Sequence, residues 1–202
     1  MIKNVIFDFG QVLVHFEPEY MTRQYIKNEE DVKLAKDVIF DRLYWDRLDA
    51  GTIPEEEVIS GIKERLPERL HENAIAAYTN WIYNIPEIEG MSEIIGYLKE
   101  KGIKIYLLSN ISTYFAEHSS EINILKNIDG CVFSAVCGFI KPDRDIFSHI
   151  CDKYSLTPSE TVFVDDNEAN IKGAESFGIK GYLFKKDPDN LKAWLDEKMT
   201  VK

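Results

Sequence analysis

The chain opens on an uninterrupted apolar run, Val5-Ile6-Phe7, that stops at a carboxylate, Asp8. Apolar residues on both faces are the pattern of a buried strand in a parallel sheet that helices cover on both sides. Beyond it, from about Pro18 to Trp81, charged and apolar residues mix at helical spacing with almost no strand-like run. Within that stretch "GTIPEEE" reads as a helix start: Thr52 can cap, Pro54 suits the first turn, and Glu55 to Glu57 complement the positive end of the dipole. From Pro86 onward helix and strand alternate. "MSEIIGYLKEKG" is a helix closed by Gly102, and "IKIYLLSN" a buried strand. A helix near Tyr114 to Lys126, a strand "CVFSAV", a helix from Asp143, a strand "TVFVDD", a helix after Glu168 and a short strand "GYLF" follow. Such alternation predicts an α/β fold with a doubly wound parallel sheet. Residues 1–15 and 86–202 then form its core, and 16–85 an all-helical lobe inserted after the first strand, over the strand ends where Asp8 lies.

Composition narrows the class of protein. At 202 residues, 45% hydrophobic and 29% charged, the chain can bury a full core as a soluble globular protein. A formal net charge of −11 argues against a nucleic-acid partner and against an anionic membrane surface. It leaves room for an anionic substrate, because a divalent cation can reverse the field inside a pocket. With no leader-like N-terminus and no apolar stretch of spanning length, a cytoplasmic location is expected. Cys131, Cys137 and Cys151 are odd in number and lack metal-ligand pairing, so reduced, mostly buried thiols are expected. The four histidines are scattered and suggest no zinc site.

In open α/β sheets ligands bind outside the carboxyl ends of the strands, which gives Asp8 a functional reading beside that of a cap or turn residue. Asp8-Phe9-Gly10 also spells a kinase metal motif, but seven preceding residues cannot supply the upstream elements that motif requires. Further polar groups end or follow strands: Ser109-Asn110 after "IYLL", Lys141 in "FIKPD", and Asp165-Asp166 after "VFV". Each alone is ordinary turn chemistry. Gathered at one sheet edge, they form a coherent set: a carboxylate nucleophile, a hydroxyl and backbone N–H groups for oxyanions, a lysine for charge, and carboxylates for Mg²⁺. That set suits phosphoryl transfer through an aspartyl-phosphate.

The order "DFGQV", "LLSN", "KPD", "VFVDDNEANIKGA" closely resembles the haloacid dehalogenase superfamily over the whole chain. The resemblance implies a Rossmann-like core with a C1-type helical cap. The "FDFGQVLV" opening, with glycine where most members carry a second aspartate, resembles the branch that includes phosphatases of α-D-glucose 1-phosphate. It implies Asp8 as nucleophile, Ser109, Asn110 and Lys141 as phosphoryl-binding groups, and Asp8, the Gly10 carbonyl, Asp165 and Asp166 as the Mg²⁺ motif. Of the acidic pair, the second is the expected direct ligand. Asn170 and Gly173 are expected to secure the last helix rather than touch substrate.

The resulting expectation is a Mg²⁺-dependent phosphatase of small phosphate monoesters, such as sugar phosphates, acting as a monomer or homodimer. Its rivals are a hydrolytic dehalogenase, which would leave Asp165-Asp166 without an evident role, and a weakly catalytic regulatory protein. Gly10 cannot supply the acid that usually protonates the leaving group, so sugar 1-phosphates, with their less basic leaving oxygen, should be preferred over 6-phosphates. His15 and Glu17 are weak candidates to replace it. In "FDRLYWDRLDAG", Arg42, Tyr44, Trp45 and Arg47 either contact a sugar or form a helix with packed aromatics and solvated arginines.

Overall fold

The computed structural model describes residues 1–200; Val201 and Lys202, the end of the expected core segment, lie outside the described residues. Five parallel strands form one sheet in the order β3-β2-β1-β4-β5: β1 (Asn4–Phe7), β2 (Lys104–Ser109), β3 (Gly130–Phe133), β4 (Thr161–Asp165) and β5 (Lys180–Leu183). Both faces of the central strands are buried, which is why their sequences do not alternate with polar residues. Val5, Phe7, Ile105, Leu107, Val162 and Val164 point into one apolar cluster. Ile6, Tyr106, Leu108 and Phe163 point into the other.

After β1 come α1 (Pro18–Arg23), α2 (Glu29–Ile39), α3 (Arg42–Asp49), α4 (Glu55–Arg65) and α5 (His71–Thr79). They surround a separate apolar cluster drawn from residues between Ile26 and Tyr78. The helices α6 (Met91–Glu100), α7 (Thr113–His118), α8 (Ser134–Cys137), α9 (Arg144–Tyr154), α10 (Glu168–Phe177) and α11 (Pro188–Thr200) accompany the sheet. No helix among the described residues is long and apolar enough to cross a membrane.

Several local expectations are corrected. Thr52 does not cap α4; its hydroxyl donates to the Arg47 carbonyl at 3.0 Å, and Pro54 occupies the cap position without a side-chain bond. The helix expected over Tyr114 to Lys126 breaks into α7 and two 3₁₀ turns, Ser119–Glu121 and Asn123–Asn127. In "CVFSAV" only the first half is strand, because Ser134 turns into α8 and uses its hydroxyl elsewhere.

Chain order places the topological switch between β1 and β4: β2 and β3 follow on one side, β4 and β5 on the other. Phe7 is level with Val164, so Asp8 and Asp165 emerge side by side, and the Asp8 amide donates to the Val164 carbonyl at 2.9 Å. The loop holding Lys141 is pressed against α10 at Gly173, where a Cβ would lie 2.4 Å from the Pro142 carbonyl oxygen. Gly173→Ala should therefore lower stability by about 1–3 kcal/mol, read from the urea midpoint. An unchanged midpoint would show that this loop yields freely.

Candidate active site

The C-terminal edge of the sheet and the helical lobe enclose a cavity of about 670 Å³. Asp8, Gly10, Ser109, Asn110, Lys141 and Asp166 all line it. Asp165 lies beneath them, wholly buried. The residues expected to form the phosphoryl-binding and metal motifs are thus brought to one place, from the ends of β1, β2 and β4 and the loop before α9.

At its centre is the Lys141 ammonium, whose side chain is 1% exposed. It donates to Asp8 Oδ1 at 2.7 Å and to Asp165 Oδ2 at 2.8 Å. Asp165 also accepts at both oxygens from the Asn170 amide, at 3.0 and 3.2 Å, and from the Asn167 backbone N–H at 2.8 Å. Its oxygens are therefore occupied by protein donors. Asp166, next in sequence, is exposed to the cavity and forms no ion pair among the described residues. Asn170, which also lines the cavity, acts on Asp165, and Gly173 lets α10 approach the Lys141 loop.

Burial is the largest influence on Asp8, pushing its carboxyl up to about 6; Lys141 opposes the shift and Asp165 adds to it. Burial would lower the Lys141 ammonium, but the charges of Asp8 and Asp165 outweigh it and hold it above its usual value. Asp166 is raised, first by burial and then by the charge of Asp165. One carboxylate oxygen from each of Asp8, Asp165 and Asp166 lies within 4.8 Å of the others. An all-oxygen, acidic donor set with only one lysine to balance it fits a hard divalent cation.

Asn110 lines the cavity and also braces the loop opposite it. Its side chain receives the Lys141 N–H at 2.8 Å and donates to the Lys141 carbonyl at 3.0 Å. It clamps the lysine's backbone. Ser109 is buried and lines the cavity.

Other lining residues were not legible at strand ends. Gln11 donates to the Phe16 carbonyl at 2.7 Å and leaves its buried Oε1 without a partner. Across the cavity, α3 contributes Arg42, Trp45, Asp46 and Asp49, at the i, i+3, i+4, i+7 spacing of one helix face. That spacing was the available signal for Asp49. Arg42 is 87% exposed and paired with Asp46, whereas Tyr44 and Arg47 face away, Arg47 pairing with Glu57 at 2.7 Å. Trp45 joins Phe16, Phe40 and Trp81 in an edge-on aromatic cluster, with ring centroids 5.2–5.9 Å apart. His15 and Glu17 do not line the cavity, and Glu17 lies 3.6 Å from Lys186.

A doubly wound sheet with a clustered carboxylate–lysine site at its switch point defines a hydrolase-type centre on an α/β core. The chain belongs to the haloacid dehalogenase-like hydrolase family, whose model matches residues 2–178. It is 26% identical, over 98% of its length and 97% of the relative's, to a D-ribitol-5-phosphate phosphatase of Bacteroides thetaiotaomicron. It is 30% identical to an (S)-2-haloacid dehalogenase of a Pseudomonas species, over 58% of this chain and 47% of that one. The fold superposes on a crystal structure of a haloacid dehalogenase family enzyme of Bacteroides thetaiotaomicron, an aspartate-to-alanine mutant complexed with magnesium and inorganic phosphate. That match has a TM-score of 0.72 and 22% identity and covers 95% of this chain and 99% of the other.

The raised Asp8 carboxyl ties stability to pH with a definite sign. Folded Asp8 holds its proton more tightly than the unfolded chain, so its ionisation removes stability as pH rises from 3.8 to about 6. In chelator, the melting temperature of Asp8→Asn should gain on that of the native chain across this interval and hold a constant gap above it. A gap that narrows with rising pH would contradict the assigned burial.

Proposed function

We propose that the protein is a Mg²⁺-dependent phosphatase of small sugar or polyol phosphates, acting through an aspartyl-phosphate on Asp8. The observation that carries this reading is the pairing of Asp8 with Lys141 beside the acidic cluster, at the floor of a cavity walled by aromatic and polar side chains. Residues 16–85 serve as the cap and 1–15 with 86–202 as the core. The three cysteines are free, Cys151 buried and the others half-buried, which fits a reducing compartment and a cytoplasmic enzyme.

Asp8 and Asp166 would hold the cation through their carboxylates and Gly10 through its carbonyl, with Asp165 retained by Lys141, Asn170 and Asn167. When bound, the cation neutralises the carboxylates and the phosphoryl group, so that an anion can enter an acidic site. Lys141, Ser109 and the backbone at Asn110 receive the phosphoryl oxygens. Lys141 also keeps Asp8 ionised and fixes its orientation against the phosphorus. Asp8 attacks, the ester oxygen leaves, and water then hydrolyses the acyl phosphate. The aromatic rings pack against the carbon skeleton, while Gln11 Oε1 can accept from a hydroxyl.

α-D-Glucose 1-phosphate and D-ribitol 5-phosphate are the two substrates to compare first, one with a hemiacetal and one with a primary alkoxide leaving group. Both should be hydrolysed with Mg²⁺ and neither after chelation, with activity restored by returning Mg²⁺. Lys141→Ala should lower turnover by about 10²–10³-fold, the typical cost of losing a preorganised donor to a developing oxyanion. Activity towards 2-haloacids that ignores chelator would favour the dehalogenase reading instead.

A further inference from the structure

We infer that Asp49, on the cap, is the general acid that protonates the leaving oxygen and the general base that then activates water. This rests on the phosphatase reading and supplies the proton that Gly10 cannot. Asp49 is the last residue of α3 and lines the cavity with Asp8, Gly10 and Lys141. Its side chain makes no ion pair and no hydrogen bond among the described residues, whereas Asp8 and Asp165 on the floor are engaged with the lysine. Asp8 and Asp165 hold Lys141, and Asp166 completes the acidic cluster.

The backbone of Asp49 is fixed, as a proton donor requires. Its carbonyl accepts from the buried Ser134 hydroxyl at 2.5 Å, and the same hydroxyl accepts from the Ile111 N–H at 2.8 Å. One side chain thereby ties the end of α3 to the loop that carries Ser109 and Asn110. Two residues on, Gly51 has φ +67°, and a Cβ there would lie 2.7 Å from the Ala135 carbonyl oxygen, so the cap meets α8 too closely for any side chain.

The environment also sets the protonation state. Burial pushes the Asp49 carboxyl up to about 8, reinforced by the charges of Asp46 and Asp8 and opposed by Arg42 and Lys141. α8, packed against α3, adds no charged side chain. A carboxyl that is neutral near pH 7 can donate a proton, and one whose pKa lies near the working pH can take it back.

The step balances. An Asp8 oxygen forms a bond to phosphorus as the bond to the ester oxygen breaks; that oxygen keeps the electron pair and takes the Asp49 proton. The alcohol departs. Water then attacks the phosphorus of the acyl phosphate, gives one proton to the Asp49 carboxylate, and releases phosphate and the Asp8 carboxylate. With this acid in place, glucose 1-phosphate loses the leaving-group advantage over ribitol 5-phosphate that Gly10 alone would confer.

The experiment is a leaving-group series of alkyl and aryl phosphates in the Mg²⁺-loaded native enzyme, in Asp49→Asn, and in Asp49→Asn combined with Gly10→Asp. A Cβ at Gly10 would meet only Phe16 Cβ, at 3.7 Å, an ordinary contact, so the backbone there does not bar a side chain. The native rate should depend weakly on leaving-group basicity and fall as pH rises through about 8. Asp49→Asn should lose about 10²–10⁴-fold on alkyl phosphates but less than about tenfold on 4-nitrophenyl phosphate, and lose the high-pH limb. Gly10→Asp should flatten the dependence again. A steep dependence in the native enzyme overturns the assignment even if the variant fails to fold, as does an equal loss on alkyl and aryl substrates. A native protein that hydrolyses no phosphate ester would overturn the phosphatase reading beneath it.

Discussion

Everything at this site depends on one buried ammonium held between two carboxylates. Lys141 touches Asp8 at 2.7 Å and Asp165 at 2.8 Å with almost no access to solvent. Each of these charges would be costly to bury alone, and removing one partner of such a group typically costs about 3–5 kcal/mol because the other is left uncompensated. The surrounding loop geometry serves to keep that contact. Asn110 grips the lysine's backbone from β2, Gly173 lets α10 press on the following proline, and Asn170 with the Asn167 amide saturates Asp165. The acid that remains exposed is Asp166, and three carboxylates against one lysine leave a local negative excess that suits a divalent cation.

The lobe inserted after β1 brings a different chemistry. Its apolar cluster is its own, yet the aromatic rings of Phe40, Trp45 and Trp81 run on through Phe16 and Phe115 to Phe9, next to Asp8. Trp45 spends its indole N–H on the Ile39 carbonyl at 2.8 Å, so its ring is fixed as well as packed. The floor of the cavity is therefore charged and inflexible in its hydrogen bonding, and its roof is aromatic. A phosphate ester has the same division, an anionic head and a less polar body.

The strands and their terminal polar groups were legible because burial on both faces leaves a continuous apolar run, and a charge ending such a run stands out. Asp8 and Asp165 stood out for that reason, whereas Lys141 lies in the loop before α9 and showed only through the short motif "KPD". What was not legible depended on tertiary partners. Ser134 follows a strand-like sequence but is needed between Ile111 and Asp49, and the strand ends there. α11 carries a weak pattern, with only two buried residues, Leu191 and Leu195, one turn apart. The Asn110 side chain also matches the Lys141 peptide group, a pairing between residues 31 apart that no local pattern reveals.

Asp49 was hidden in the same way. In sequence it is one acid among many on an exposed-looking helix, and only the spacing of Arg42, Trp45, Asp46 and Asp49 hints at a common face. Its position also gives the glycine at residue 10 a physical context. Nothing in the backbone demands glycine there: φ is not positive and a Cβ would have room. Fold stability therefore does not explain the missing side chain, and a second acid next to Asp8 would add negative charge to a cluster already short of cations. An acid carried by the cap stands outside the three-carboxylate cluster, and burial first, then the charges of Asp46 and Asp8, raise its carboxyl towards the neutral form. In the proposed mechanism the proton donor and the walls that would select the substrate come from the same inserted segment, and the groups that would handle the phosphoryl come from the sheet.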